Sequence, residues 1–305
     1  MSFSLSKASS FARRLLLASA LLGTALLRSA PGLAAGTLRV DFIDVGQGDS
    51  ALVTSPTGKT VLIDGGPHSS ARALTEFLRA HLHAPLDLIL LTHRHEDHLG
   101  GLAEVVREVG ARRFVDAPVP HAQKGYTALM QALEARGAVV QEATRGRAID
   151  LGDGATLTLL GPPEPLITGS HSDVNANSVV ARLTYRGFSV LFAGDAEAPT
   201  ETWLLTSGAT LRATVLKVAH HGSRYASTTP FLQAVGARIA VVSVGAGNRY
   251  RHPASATLGR LARAGATVYR TDMDGDVTIE SDGSSEGSSV RVQTARGCQE
   301  AVSAR

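Results

Sequence analysis

The chain has 305 residues, enough to bury a real core as one large α/β domain or two small ones. Hydrophobic residues make up 44% of it, within the ordinary globular range, so neither a disordered chain nor a multi-span membrane protein is indicated. The formal net charge is +3, but Lys7, Arg13, Arg14 and Arg28 lie within residues 1–35, which hold no acid; beyond them 26 of the 30 basic residues face 27 acidic ones, a net of −1, so no globally basic nucleic-acid-binding surface is indicated.

Residues 1–35 read as a secretory signal. Lys7, Arg13 and Arg14 form a basic start, and Leu15 to Leu27 is an apolar run short for a bilayer span. The small residues at Ala34 and Ala35 suit a signal peptidase. This predicts a periplasmic or secreted protein with no integral membrane domain after signal removal; an uncleaved anchor is the alternative. Strands are expected at Leu38–Asp44, Ser50–Thr54 and Thr60–Ile63, with a Gly46-Gln47-Gly48-Asp49 turn between the first two. Ser69–His83 has helical spacing, with Ala73, Phe77 and Leu78 on one face. Leu86–Leu91 is a buried-type strand and Gly101–Gly110 a helix.

In the second half, Ala155–Leu160, Ser178–Tyr185, Phe188–Ala193, Thr214–Val218 and Ile239–Val244 read as strands. Helices are expected at Glu197–Gly208, Thr228–Val235 and Ala254–Gly265. Thr267–Arg270, Val277–Glu280 and Val290–Thr294 are short terminal strands around a Ser/Gly loop. Helices and strands alternate, but hairpins are interspersed, which argues for two mixed sheets with helices outside. One domain is expected over 37–296, with a polar tail at 297–305. The single cysteine, Cys298, excludes an intramolecular disulfide and a Cys-rich zinc site.

The strongest chemical signal is Thr92-His93-Arg94-His95-Glu96-Asp97-His98-Leu99-Gly100-Gly101, directly after an apolar strand. Three imidazoles and two carboxylates in so short a stretch have no packing rationale, whereas on a strand-end loop they converge on one point. Their nitrogen and oxygen donors suit zinc, manganese or iron. Three further segments follow apolar strands. Gly194-Asp195 places at a strand tip a carboxylate able to bridge two cations. His220-His221-Gly222-Ser223 and Asn248 to Pro253, with His252, supply more ligand-type residues. The plainer alternatives are a turn for Gly194-Asp195, a capped loop pair for His220 and His221, and a surface histidine for His252. All four segments stand at strand ends, where such scaffolds present their chemistry.

Taken together, these motifs resemble the metallo-β-lactamase superfamily. More finely, they resemble the hydrolase domain of the ComEC-type DNA-uptake channel protein. The finer likeness rests on Phe42 to Ser50, Leu62 to Gly66, Asn175 to Val180, Leu216 to Ser223, Asn248 to Pro253 and Thr271 to Gly275. The resemblance implies an α/β fold, a four-layer αββα sandwich, with a two-metal site at one edge of the sheets. It implies that His93 and His95 bind a first metal, Asp97 and His98 a second, and that Asp195 bridges. His220 and His252 complete the ligands, His221 is a ligand or a proton donor, and Asp64 orients the His93–His98 loop. Many superfamily members carry a further histidine before the Gly-Asp strand. Here that region offers His171, which is not expected to ligate, and then Asn175 and Asn177.

The resulting expectation is an exported hydrolase using two divalent ions, zinc first and manganese second, to activate water against a phosphodiester. Asp97 accepts the proton and His221 protonates the leaving group. Its substrate partner is a small-molecule or nucleic-acid phosphodiester; the oligomeric state is left open. The alternatives are β-lactam, lactone or ester hydrolysis and, from another class, a non-catalytic metal-binding protein.

Overall fold

Most neighbouring strands of this chain pair according to what joins them: short turns give antiparallel neighbours, and helical crossovers give parallel ones. The computed structural model describes residues 36–119, 124–284, 290–297 and 299–302. The predicted signal segment and Cys298 lie outside the described residues.

The first sheet opens with β1 (Leu38–Phe42), β2 (Ala51–Thr54) and β3 (Thr60–Ile63), an antiparallel meander. The helix α1 (Ala71–His81) crosses to β4 (Leu88–Leu91), which runs parallel to β3. The short helices α2 (Glu96–Leu99) and α3 (Leu102–Glu108) lead to β5 (Arg113–Asp116). Helix α4 (Lys124–Ala135) leads to the edge strand β6 (Val139–Glu142), both new strands being parallel to β4.

The second sheet starts with the antiparallel run β7 (Ala148–Gly152), β8 (Ala155–Leu159), β9 (Ala181–Tyr185) and β10 (Phe188–Phe192), with α5 (Asp173–Ala176) between β8 and β9. Its parallel half follows as β11 (Val215–Lys217), β12 (Ile239–Val242) and β13 (Thr267–Arg270). These are connected through α6 (Ala198–Thr206), α7 (Thr229–Val235) and α8 (Ser255–Arg263). After α9 (Thr271–Asp274) the chain returns to the first sheet. There β14 (Val277–Ser281) pairs with β1, and β15 (Val290–Thr294) and β16 (Gln299–Val302) extend the edge. The strand orders are β16-β15-β14-β1-β2-β3-β4-β5-β6 and β13-β12-β11-β10-β9-β8-β7.

Three apolar clusters explain the layering. One contains Val40, Phe42 and Ile63 of the first sheet with Leu157, Val190 and Phe192 of the second, so it lies between the sheets. A second packs Leu52, Leu62 and Ile89 beneath Leu74, Leu102 and Leu129 of α1, α3 and α4. A third packs Leu191, Leu216 and Ala240 beneath Leu204, Phe231 and Leu261 of α6, α7 and α8. Helices therefore cover the outer face of each sheet, which is the expected αββα sandwich.

Three details differ from the sequence reading. The buried stripe of α1 is Ala71, Leu74, Thr75 and Leu78, so the helix is rotated and Ala73 faces solvent. Part of the stretch read as a polar tail forms β16. The interval 111–154, for which no element is expected from the sequence, contains β5, α4, β6 and β7; β6 is largely exposed, whereas β7 alternates exposed and buried residues. Among the described residues no helix is long and apolar enough to cross a membrane.

Candidate metal centre

Every parallel strand near the middle of the two sheets delivers its next loop to the same rim, the usual place for chemistry on such sheets. Asp64 follows β3, His93 to His98 follow β4, Asp195 follows β10, His220 and His221 follow β11, and Asn248 to His252 follow β12. The motif of three histidines is split: His93 and His95 lie on the loop, while Asp97 and His98 occupy the first turn of α2.

Tight backbone makes the convergence possible. Gly48 sits at φ +154, where an added Cβ would stand 2.3 Å from the Asp97 carbonyl oxygen. Gly222 sits at φ +80, with Pro253 only 2.5 Å from such a Cβ. Asp64, His220 and His221 are themselves left-handed, with φ of 60, 49 and 52. Such strain in side-chain-bearing residues persists only where surrounding structure enforces it.

The imidazoles are fixed from behind. Thr92 donates its N–H and its hydroxyl to the Asp64 carboxylate, both at 2.7 Å, and His98 Nδ1 donates to the same group at 2.8 Å. With the Thr92 hydroxyl proton so used, its oxygen accepts from His93 Nδ1 at 3.1 Å. His221 Nδ1 donates to the Ser243 carbonyl at 3.0 Å, and His220 Nδ1 to Glu197 at 3.0 Å. Anchored at Nδ1, all four rings turn Nε2 toward Asp195. The distances are 3.3 Å from His98 to Oδ1, and 3.6, 3.7 and 3.8 Å from His93, His220 and His221 to Oδ2. His221 Nε2 also lies 3.3 Å from Asp97 Oδ2.

This donor set fits divalent ions on structural grounds. His98 Nε2, His221 Nε2 and Asp195 Oδ1 are buried without a hydrogen-bond partner, a costly state for polar atoms that a cation would relieve. His93, His98 and Asp195 form one compact ligand group, and Asp97, His98 and His221 another. The electrostatics agree. Burial opposes ionisation of Asp195, but the surrounding His98, His221, His220 and His93 hold it well below the carboxylate range. Burial and the neighbouring His98 push His93 well below the usual histidine value. Burial likewise opposes charge on His221, yet Asp195 and Asp49 outweigh it and raise the ring to about 10.

The other expected residues line the adjoining cleft. His95 Nδ1 is 3.1 Å from His93 Nε2. His220 and His252 stand with ring centres 5.7 Å apart, and His252 stacks on Tyr250. The cleft, of about 350 Å³, includes Gln47, Asp97 and Asn175 in its wall, and a neighbouring space of about 390 Å³ includes Arg249. His171 stacks on Tyr225 and belongs to none of the compact ligand groups.

Two residues escaped the sequence reading. Asp49, buried, places Oδ1 at 3.1 Å from His221 Nδ1 and forms an ion pair with Lys217, itself only 3% exposed. Burial works against its charge, but Lys217, His221 and His98 hold the Asp49 carboxyl at about 2. Its sequence signals were the Gly-Gln-Gly-Asp turn and its place in the Phe42 to Ser50 stretch; neither gave it a role or linked it to Lys217.

Comparison with known proteins accords with this geometry. The model of the metallo-beta-lactamase superfamily matches residues 43–246. ComE operon protein 3 of Bacillus subtilis is 30% identical over 261 residues, 78% of this chain and 32% of that protein. Competence protein ComA of Neisseria gonorrhoeae is 30% identical over 234 residues, 76% of this chain and 30% of its own length. The chain thus spans about a third of the curated relatives it matches. Among solved structures, the metallo-beta-lactamase fold protein YhfI from Bacillus subtilis shares the fold at 13% identity, with a TM-score of 0.53 over 80% of this chain and 99% of that one.

Proposed function

Starting from a chain that belongs to the metallo-β-lactamase superfamily and is a metal-dependent hydrolase, we propose that it cleaves phosphodiester bonds with two divalent ions, zinc before manganese. The observation that carries this reading is Asp195, whose Oδ1 faces His98 while Oδ2 faces His93, His220 and His221. A carboxylate with imidazoles on both sides suits a bridging role, and paired cations suit phosphodiester cleavage. The competence proteins among its relatives and the cationic Arg249 at the cleft rim favour a nucleic-acid substrate.

When bound, the ions would supply Lewis acidity to a phosphoryl oxygen and acidify a water molecule. His93, His95 and Asp195 would hold one, and Asp97, His98, His221 and Asp195 the other. His221 is assigned as a ligand because it is 2% exposed, with Nδ1 committed to Ser243. His220, at 23% exposed, presents Nε2 to the cleft and takes the proton-donor role that the sequence left to its neighbour. Glu197 holds that ring in place. Asp97, at 28% exposed, stands at the cleft to accept a proton from the attacking water. His252 lines the cleft beside His220. Export is part of the proposal and rests on the basic and apolar pattern of residues 1–35.

The test is metal analysis followed by assay on bis-p-nitrophenyl phosphate, single-stranded DNA and a chromogenic cephalosporin. The exported product should begin near residue 36, bind two ions and cleave the phosphodiesters. Asp97→Ala should lose turnover and one ion while remaining folded. Cleavage of the cephalosporin alone, or full turnover in that variant, would overturn the reading.

A further inference from the structure

A second cleft, of about 320 Å³, opens at the opposite end of the second sheet. It is lined by Arg182 of β9, Arg212 ahead of β11 and Arg238 ahead of β12, with Ser189, Thr210 and Thr214. The metal centre lies beyond the other ends of β10 and β11; Ser189 and Thr214 stand at the starts of these strands, Arg182, paired with Leu191, reaches back toward them with its side chain, and the two clefts share no lining residue.

Its chemistry is one-sided. None of its lining residues is acidic, and among the described residues none of the three guanidinium groups forms an ion pair. Arg182 Nε donates to the Arg212 carbonyl at 2.9 Å. Burial alone holds that guanidinium below the ordinary arginine range. Ser189 and Thr214 accept each other's backbone N–H, both at 3.3 Å, which occupies an oxygen lone pair on each and leaves each hydroxyl proton to donate. The cleft therefore offers hydroxyl and guanidinium donors together with positive charge.

From this geometry we propose that the arginine cleft is a binding site for phosphate groups, separate from the metal centre. A phosphate presents several acceptor oxygens and negative charge, and the planar fork of arginine meets two of them at once. Three such forks line one cleft, Arg212 and Arg238 from just ahead of their strands and Arg182 reaching across from β9 to the Arg212 carbonyl. The phosphate can come from a nucleic-acid strand or from a small free phosphate compound.

The experiment uses the metal-loaded full chain and the double variant Arg212→Ala/Arg238→Ala, with Arg212→Glu as a second, exposed substitution. A short single-stranded phosphorothioate oligonucleotide is titrated by fluorescence anisotropy across salt concentrations, and inorganic pyrophosphate by calorimetry. The double variant is expected to bind at least one of them more weakly by about tenfold or more. For the oligonucleotide, the log–log salt slope should become shallower by about 1.4, two phosphate contacts' worth for a single strand. Loss confined to pyrophosphate identifies a small phosphate ligand, and loss of oligonucleotide binding identifies a strand. Unchanged metal content and bis-p-nitrophenyl phosphate turnover would show that the fold is intact. The proposal is overturned if the wild-type chain binds neither probe, or if both variants bind both with wild-type affinity. Should phosphodiester cleavage fail while the arginines still govern binding, the reading of the metal centre falls and this one stands.

Discussion

Asp49 and Lys217 show how much one buried pair arranges. The carboxylate meets Lys217 and lies against His221, so it is the electrostatic partner of a ring whose Nε2 faces Asp97 and Asp195. Asp49→Asn keeps the size and removes the charge. It is expected to weaken metal binding by about 10–100-fold, as changes behind a ligating histidine do. It should also destabilise the fold by about 3–5 kcal/mol, since Lys217 is left buried without a counter-charge. Adding Lys217→Met should recover most of the stability and none of the metal affinity. Urea unfolding and metal titration separate the two effects; recovery of both together would reduce Asp49 to a packing residue.

At the scale of an element, the turn after β11 is the most constrained piece of the site. It places two adjacent histidines in left-handed backbone and then passes under Pro253 at Gly222. Gly222→Ala should lower turnover by about 100-fold, because a displacement near 1 Å at a reacting centre has that effect. Gly137→Ala is the control: its φ is +67, but an added Cβ meets nothing within 4 Å, and turnover should not change. Equal loss in both would show that general strain, and not position, matters. The same turn shows what the sequence made legible. His220 and His221 were visible because ligand-type residues cluster after an apolar strand. Which of them faces inward was not, because that depends on Ser243 and Glu197, reached only through folding. Likewise β4 and β10 were legible as apolar runs. The edge strand β6 leaves Val139 and Val140 exposed at 54% and 44%, so its apolar residues carry no inward periodicity.

For the whole molecule, the decisive fact is that ligands arrive from both sheets. The candidate ligands His93, His95, Asp97 and His98 extend from the first, and Asp195 and His221 from the second. Bound ions therefore tie the two halves at one rim, while the apolar cluster between the sheets holds them elsewhere. Chelation is expected to abolish hydrolysis and leave the circular dichroism spectrum native. Ligand linkage at 100- to 1,000-fold saturation is worth about 3–4 kcal/mol. For a domain of this size that lowers the melting temperature by about 5–15 °C. Calorimetry with and without chelator checks this; complete unfolding on metal removal would mean that the sandwich core is insufficient alone.

The left-handed residues at the rim carry a wider implication. Asp64, His220 and His221 each hold a backbone geometry costing about 1–3 kcal/mol. Glycine there would relax the chain and remove the groups that make the rim reactive. Adaptation toward heat resistance thus meets its obstacle at this rim and not in the sandwich interior, where repacking is tolerated. Durability and reactivity are opposed in a handful of peptide units, and selection for one is felt there as loss of the other.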